Sequence, residues 1–429
     1  FADAPKLKTA RLTAFGMTAR SGRSAANDPA LAPVLEANTE AVCLVGKSWD
    51  FQVDVALEIP REENIDNIAR SIEAVVAKKR EPMLDAEHFF DGYKANPEYA
   101  MACIQAAHDA GARWIVLCDT NGGTMPEDVY RIVSEVKAKL PGAALGIHAH
   151  DDTGQGVAVS LAALRGGVRQ IQGTLNGLGE RCGNANLCSL LPTLALKEPY
   201  ASQFETGVDR AALAHITQVS RLLDEILNRA PGRHSPYVGL SAFAHKGGLH
   251  SSAVLKDPRT YEHVPPEAVG NKRVIPVSDQ SGRSNVLARL AEVGIDLDAK
   301  DARVSRLLDE VKQREYLGYA YDGAEASFEL MARRALGQVP DYFLVESFRV
   351  SVERRRNARG EFVSVSEGVV KLDVAGQAIH SVATGNGPVN ALDAALRKDL
   401  GRYSSAISDL RLADYKVRIL TTGTEAVTR

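Results

Sequence analysis

Short β-branched runs alternate with helical patterns along roughly the first half of the chain, and no other feature restricts the fold as much. The runs are Arg11–Phe15, Ala41–Gly46, Glu81–Leu84, Trp114–Cys118, Ala144–His148 and Gln170–Leu175. Between them lie patterns with helical period. One runs from about Glu63 to Lys79, with Ile65, Ile68, Ile72 and Val75 on one face. A second has Asn96 as its cap and Pro97 at its first position, and stops at Gly111. A third opens near Pro126 and buries Val129, Ile132, Val133 and Val136. Strands joined through helices pair in parallel, in either an open doubly wound sheet or a TIM (β/α)8 barrel. Glu87, Thr120, His148, His150 and Glu180 all fall at or just after strand C-terminal ends. Several strands contributing to one face is the signature of a barrel active site. A Rossmann sheet instead wants G-x-G-x-x-G after its first strand, and this chain has none. Only six strand–helix units are readable, where a barrel has eight.

From about Phe204 to Gly337 the pattern is helical, broken by the Gly- and His-rich loop SAFAHKGGLHSS. Past Val339, FLVESFRVSVERR, EFVSVSEGVVKLDV and QAIHSVAT alternate with period two, as in an antiparallel sheet. NALDAALRKDL reads as an amphipathic helix, opened by TGNGPVN, and DYKVRIL as a further strand. The division expected is a barrel domain over 1–203, a helical linker subdomain over 204–338 and an α+β domain over 339–429. Of 429 residues 45% are hydrophobic and 24% charged, enough for a substantial core. A net charge of −3 supplies no positive field for nucleic acid or a membrane surface. No apolar run approaches the roughly 20 residues a membrane span needs. The opening FADAPKLKTA has neither a signal-peptide nor a transit composition. Five cysteines without paired short spacings argue against a disulfide framework, and the expected compartment is the cytoplasm.

Three segments carry candidate chemistry. In GIHAHDD, His148 and His150 are two apart on a strand, so both imidazoles project from one face and can reach one divalent metal. They can equally be polar strand-end residues without a metal. Asp151 and Asp152 are either acceptors that orient those rings or loop residues facing solvent. In GTLNGLGERCGNANL, Gly177, Gly179 and Gly183 let the backbone approach a ligand, with Glu180 and Asn184 as polar groups beside it. The bland alternative is a glycine-rich loop with a structural Glu180–Arg181 pair. AFAHKGGLHSSAV offers His245, Lys246 and His250 as acid–base candidates, or as surface residues. A Walker loop, a G-x-S-x-G elbow and H-E-x-x-H are all absent from the sequence.

Taken in order, these segments resemble the 2-isopropylmalate, homocitrate and citramalate synthases, which are metal-dependent TIM-barrel acyltransferases. The resemblance runs from about Thr9 to Arg429. AVCLVGKSWDFQV, DAEHFFDGYKANPEYA, CDTNGGTMPEDV, QGTLNGLGERCGNANL, FAHKGGLHSSAVLKDPRTYEH and GNGPVNALDAALRK look like the bacterial citramalate branch in particular. The resemblance implies that His148 and His150 are metal ligands and that Asn184 approaches the metal. It further implies that Thr120 contacts the oxo-acid carboxylate and that Glu87 and Glu180 line the site. His250 would activate acetyl-CoA, with Tyr261 assisting. The implied metal is Mg²⁺ or Mn²⁺, with Zn²⁺ a further candidate. The implied substrates are acetyl-CoA and pyruvate, the implied effector of the β-rich tail is isoleucine, and the implied assembly is a homodimer.

The chain departs from the family pattern in places. The family's opening strand, D-T-T-L-R-D-G, supplies an arginine and a third metal ligand, and neither it nor the next strand is found here. Asp151 and Val159 stand where the family usually has Asn. The chain therefore reads as trimmed at both ends, with its first two barrel strands missing and its last domain incomplete. Negligible synthase activity is expected of it alone. A 2-isopropylmalate synthase is the close alternative, since one methylene discriminates by only about 1–3 kcal/mol. A barrel lyase working in the reverse sense is a second, argued against by the β-rich tail. A protein that binds an amino acid without catalysis is a third.

Overall fold

The computed structural model describes residues 7–275, 282–317, 319, 321, 324–398, 400, 403–413 and 415. It divides into two compact units, the first comprising residues 1–244 and 262–274 and the second residues 245–261 and 275–429.

The first unit is built on six parallel strands: β1 (Thr13–Met17), β2 (Ala41–Lys47), β3 (Glu81–Glu87), β4 (Trp114–Asp119), β5 (Leu145–Ala149) and β6 (Gln170–Gln172). They pair strictly in chain order, with no switch of direction, so every crossover lies on the same side. A doubly wound sheet would reverse its order near the middle. Consecutive order is that of (β/α)8 barrel units.

Burial follows from that architecture. The helices Arg61–Ala77, Pro97–Asp109, Pro126–Lys139 and Gly156–Gly166 cover the outer face of the sheet. Their apolar stripes meet Leu84, Ala86, Ile115, Leu117 and Ile147 in one continuous core. Ile68, Ile72 and Val75 of the first of these helices are fully buried, each worth about 1.5–3 kcal/mol relative to exposure. The opposite, inward positions of the strands alternate with those. Ala41, Cys43 and Met83, with Trp114 against them, fill the lower end of the inner face. Above them the inward positions turn polar: Asp85, His148 and Gln172.

Several element ends differ from the sequence reading. The strand expected to run to Leu175 stops at Gln172, and Leu175–Gly177 is a 3-10 turn. A Cβ at Gly173 would stand 2.6 Å from the carbonyl oxygen of Ala185, so the chain can turn there only as glycine. The helix expected from Glu63 begins at Arg61, behind Pro60.

In the second unit, helices Arg283–Glu292, Ala302–Tyr316 and Glu325–Ala335 bury Leu290, Val304, Leu307, Val311 and Phe328 together. A separate antiparallel sheet is formed by β7 (Leu344–Arg356), β8 (Phe362–Val374) and β9 (Gln377–Gly385). The helix Pro388–Lys398 packs on it through Leu392, Ala395 and Leu396. DYKVRIL falls almost wholly outside the described residues. The segment read as a Gly- and His-rich loop is in part helical, over Gly248–Lys256. No helix of the described residues is long and apolar enough to cross a membrane.

Candidate active site

The upper rim of the first unit's sheet gathers the polar residues. Glu87 ends β3, and its Oε2 lies 2.6 Å from the Nζ of Lys47, which ends the neighbouring β2. The chain leaves β3 through His88 in a left-handed conformation (φ 57°). That turn lets the His88 backbone N–H donate to the Oγ1 of Thr120, 2.8 Å away, just past β4. Thr120 therefore keeps its own hydroxyl proton free to donate.

His148 lies on β5 and His150 follows its end, so the two rings share a face with centroids 5.2 Å apart. Asn184 is bridged to the His150 backbone, and its Nδ2 lies 2.8 Å from His148 Nε2. On the other side of the same ring, His148 Nδ1 lies 2.7 Å from Gln172 Oε1. Gln172 Nε2 donates to Asp85 Oδ1 at 2.8 Å, and the Cys43 thiol donates to the same oxygen at 3.0 Å. Burial pushes the Asp85 carboxyl up, against the hydrogen bond from Cys43 and the field of His148. Burial and the Asp85 charge push the Cys43 thiol far up, so it stays protonated and serves as a donor. Burial first, and the Arg181 charge beyond it, hold the His150 imidazole below its ordinary range, in the neutral form that ligates. His150 Nδ1 is buried with no hydrogen-bond partner, and a buried nitrogen in that state is costly unless something outside the chain satisfies it.

The glycine-rich loop brings Asn184 to the histidines. A Cβ on Gly183 (φ 93°) would stand 1.8 Å from the Gly177 carbonyl oxygen, and one on Gly179 would stand 1.9 Å from Asn184 Oδ1. Arg181 ties this loop to its neighbours. Its guanidinium pairs in bidentate fashion with Asp152 at 2.7 and 2.8 Å and donates to the Thr120 carbonyl at 2.7 Å. Its partner is thus Asp152, whose carboxyl it holds below the usual range, while the Glu180 contact is a loose 3.8 Å. Asp151 accepts from the Gly156 backbone N–H at 2.7 Å, at the start of a helix. Neither aspartate is hydrogen-bonded to an imidazole, so the ring-orienting role considered for them falls instead to Gln172 and, behind it, Asp85.

Glu87, Thr120, His148, His150 and Glu180 line one cavity of about 140 Å³ with Asp85 at its floor. That is well below the roughly 300–1,000 Å³ of a typical ligand cleft, and it suits a small acid. Larger clefts of about 490 and 650 Å³ lie on the second unit around Glu310 and Arg314, without any histidine. Among the described residues, no group of three or more His, Cys, Asp and Glu side chains stands ready to hold a metal ion. The donors present are two imidazoles and the Asn184 amide. They fit a divalent cation that keeps further ligands from elsewhere, and the unpartnered His150 nitrogen is the observation that favours it. His250 and Tyr261 belong to the second unit, where their rings lie 4.3 Å apart at 30°.

Sequence reasoning missed Asp85, Gln172 and Lys47, and it read Arg181 only as a structural partner of Glu180. The first two carried a signal, because each is a polar residue at an inward position of a buried strand. A polar group there must be hydrogen-bonded to something.

Residues 6–220 match the HMGL-like family, residues 237–316 the homocitrate synthase post-HMGL domain-like family, and residues 322–429 the LeuA allosteric (dimerisation) domain. The (R)-citramalate synthase of Geobacter sulfurreducens is 47% identical, over 97% of this chain and 78% of the relative. That of Aquifex aeolicus is 46% identical, over 98% of this chain and 79% of the relative. A probable 2-isopropylmalate synthase of Methanopyrus kandleri is 29% identical, over 92% of this chain and 74% of the relative, a markedly more distant likeness.

Proposed function

The chain belongs to the (R)-citramalate synthase family, and from that premise we propose how its residues divide the work. The activity is acyl transfer: acetyl-CoA condenses with pyruvate to give citramalate and CoA, in branched-chain amino-acid biosynthesis. The enzyme is metal-dependent. His148, His150 and Asn184 would hold the divalent ion, Mg²⁺ or Mn²⁺ by family likeness and Zn²⁺ as a further candidate. When bound, such an ion supplies Lewis acidity to the ketone of a 2-oxo acid.

The chain's own groups do the rest. Thr120 donates its free hydroxyl proton to the oxo-acid carboxylate. His250, packed against Tyr261, takes a proton from the acetyl methyl. The carbanion so formed attacks the ketone carbon, and hydrolysis of the thioester by water makes the sequence irreversible. Glu87, fixed by Lys47, and Glu180 line the site as its acidic groups. Phe15, Val45 and Cys118 form the apolar part of the cavity wall.

One observation carries this chemistry: two imidazoles, one with an unpartnered buried nitrogen, face a cavity of about 140 Å³ beside a free threonine hydroxyl. Turnover of pyruvate against 2-oxoisovalerate by the full-length protein tests the substrate. Pyruvate is expected to win by about 10–200-fold in kcat/KM. Preference for the branched acid makes the enzyme a 2-isopropylmalate synthase instead.

The LeuA-type region supports a regulated, self-associating enzyme. We take isoleucine as its effector and a homodimer as its assembly. Inhibition by isoleucine, with leucine as the control amino acid, tests the first. Support for the second comes from an exposed apolar strip on β7, with Val345, Phe348 and Val352.

A further inference from the structure

We propose that Asp85 and Gln172 are positioning residues that lock His148 in the Nδ1-protonated tautomer, and so turn its Nε2 lone pair towards the cation, a role that rests on His148 being a cation ligand. The geometry fixes the direction of every hydrogen bond along the chain. Asp85 Oδ1 receives both the Cys43 thiol and the Gln172 Nε2 amide proton, at 3.0 and 2.8 Å. A carboxylate accepts only, so Gln172 must turn its NH₂ to Asp85 and its Oε1 to the ring. Oε1 cannot donate. His148 Nδ1, 2.7 Å away, must therefore carry the proton.

A second observation reaches the same tautomer independently, from the far side of the ring. The Asn184 NH₂ lies 2.8 Å from Nε2, and a donor there requires a lone pair on the nitrogen. The pair is well placed to be rigid. Asp85 is only 3% exposed, and Gln172 sits on β6 next to His148 in the parallel register. A carboxylate reaching a ligating imidazole through an amide extends the usual orienting contact of metal-bound histidines by one residue.

The test reads the tautomer and the metal affinity separately, on the whole chain. Long-range ¹H–¹⁵N correlation of the metal-free, ¹⁵N-histidine-labelled protein, assigned with His148→Ala, is expected to show a protonated Nδ1 and a pyridine-like Nε2 for His148. Asp85→Asn lets the Gln172 amide turn over and offer its NH₂ to the ring. The proton is then expected on Nε2, with Mn²⁺ affinity by calorimetry about 10–100-fold weaker. Adding Gln172→Glu to Asp85→Asn restores a donor facing a carboxylate and a carboxylate facing the ring. Both tautomer and affinity are expected to return.

A parent protein with the proton on Nε2 overturns the proposal, and that measurement needs only the assigning His148→Ala protein to fold. So does a single variant that behaves as the parent, or a double variant no better than the single, which would make Asp85 a ligand or a mere packing residue. If the tautomers respond as stated but Mn²⁺ binding is indifferent to His148→Ala, the lock stands and the cation reading of the site falls.

Discussion

Two glycines four residues apart in one loop, Gly179 and Gly183, show how differently one methyl group acts. At Gly183 the added Cβ meets the Gly177 backbone oxygen at 1.8 Å and the backbone is left-handed, so neither the neighbour nor the residue can yield. Gly183→Ala is expected to cost at least about 2 kcal/mol of stability, read by chemical denaturation. At Gly179 the clash is with the end of the Asn184 side chain, which can swing away. Gly179→Ala should keep most of the stability while moving Asn184 off His148, and should weaken Mn²⁺ binding about tenfold by calorimetry. The Arg181–Asp152 pair gives a pH signature. Arg181 lowers the folded-state pKa of Asp152 below its unfolded value near 3.8. Its stabilisation is thus present above that value and lost as pH falls through the lower, folded one. Both side chains are partly exposed, at 44% and 24%, so the effect is under about 1 kcal/mol. Arg181→Met should flatten acid denaturation below about pH 4 by that amount, measured against the parent at pH 7. At this scale the H-x-H pair was legible because period two alone puts both rings on one face. Asp85 and Gln172 were not, because their partners are 24 to 87 residues away in sequence and only the curvature of the six-stranded sheet brings them together.

The elements were legible wherever cap chemistry and period agree. Asn96 and Pro97 predicted the start of Pro97–Asp109, and the Asn96 side chain does accept the Tyr99 N–H. The same side chain donates to Asp50 at 2.8 Å, tying the cap to the chain beyond β2. Asn96→Ala is expected to cost about 1 kcal/mol, slightly more than a simple cap, and a melting curve checks it. The helix Gly248–Lys256 was hidden because Gly247 and Gly248 read as breakers. What holds it is invisible in sequence: the buried Ser251 hydroxyl shared between the His245 and Gly247 carbonyls, and the Asn285 amide against it. That contact bridges more than thirty residues of chain and sets where His250 stands within its own unit.

Over the whole molecule, the alternation of strand and helix predicted the parallel sheet and the period-two tail predicted the antiparallel one, but neither pattern shows which sheet face stays uncovered. On β8, Val370, Leu372 and Val374 are buried beneath the helix Pro388–Lys398. The residues of β7 paired with that face continue it as an apolar strip: Val345, Phe348, Val350 and Val352. Val345, Phe348 and Val352 nevertheless stay 51%, 67% and 58% exposed. An apolar strip of this kind, on the strand that forms the sheet's edge among the described residues, is expected to be covered by a partner rather than by water. A second copy of the LeuA-type region fits that description, since it offers the same strip to its twin. Phe348 sits at the strip's middle, and a truncated aromatic anchor typically costs an interface about 2 kcal/mol or more. Phe348→Glu should therefore weaken self-association by well over tenfold. Light scattering is expected to give twice the 46.1 kDa chain mass for the parent and one chain mass for the variant at the same concentration. The substitution faces solvent within its own chain, so the melting transition of the variant's first unit should not move. A parent that runs as a single chain, or a Phe348→Glu protein that still runs as two, would place the contact elsewhere and leave the strip without a partner of its own kind.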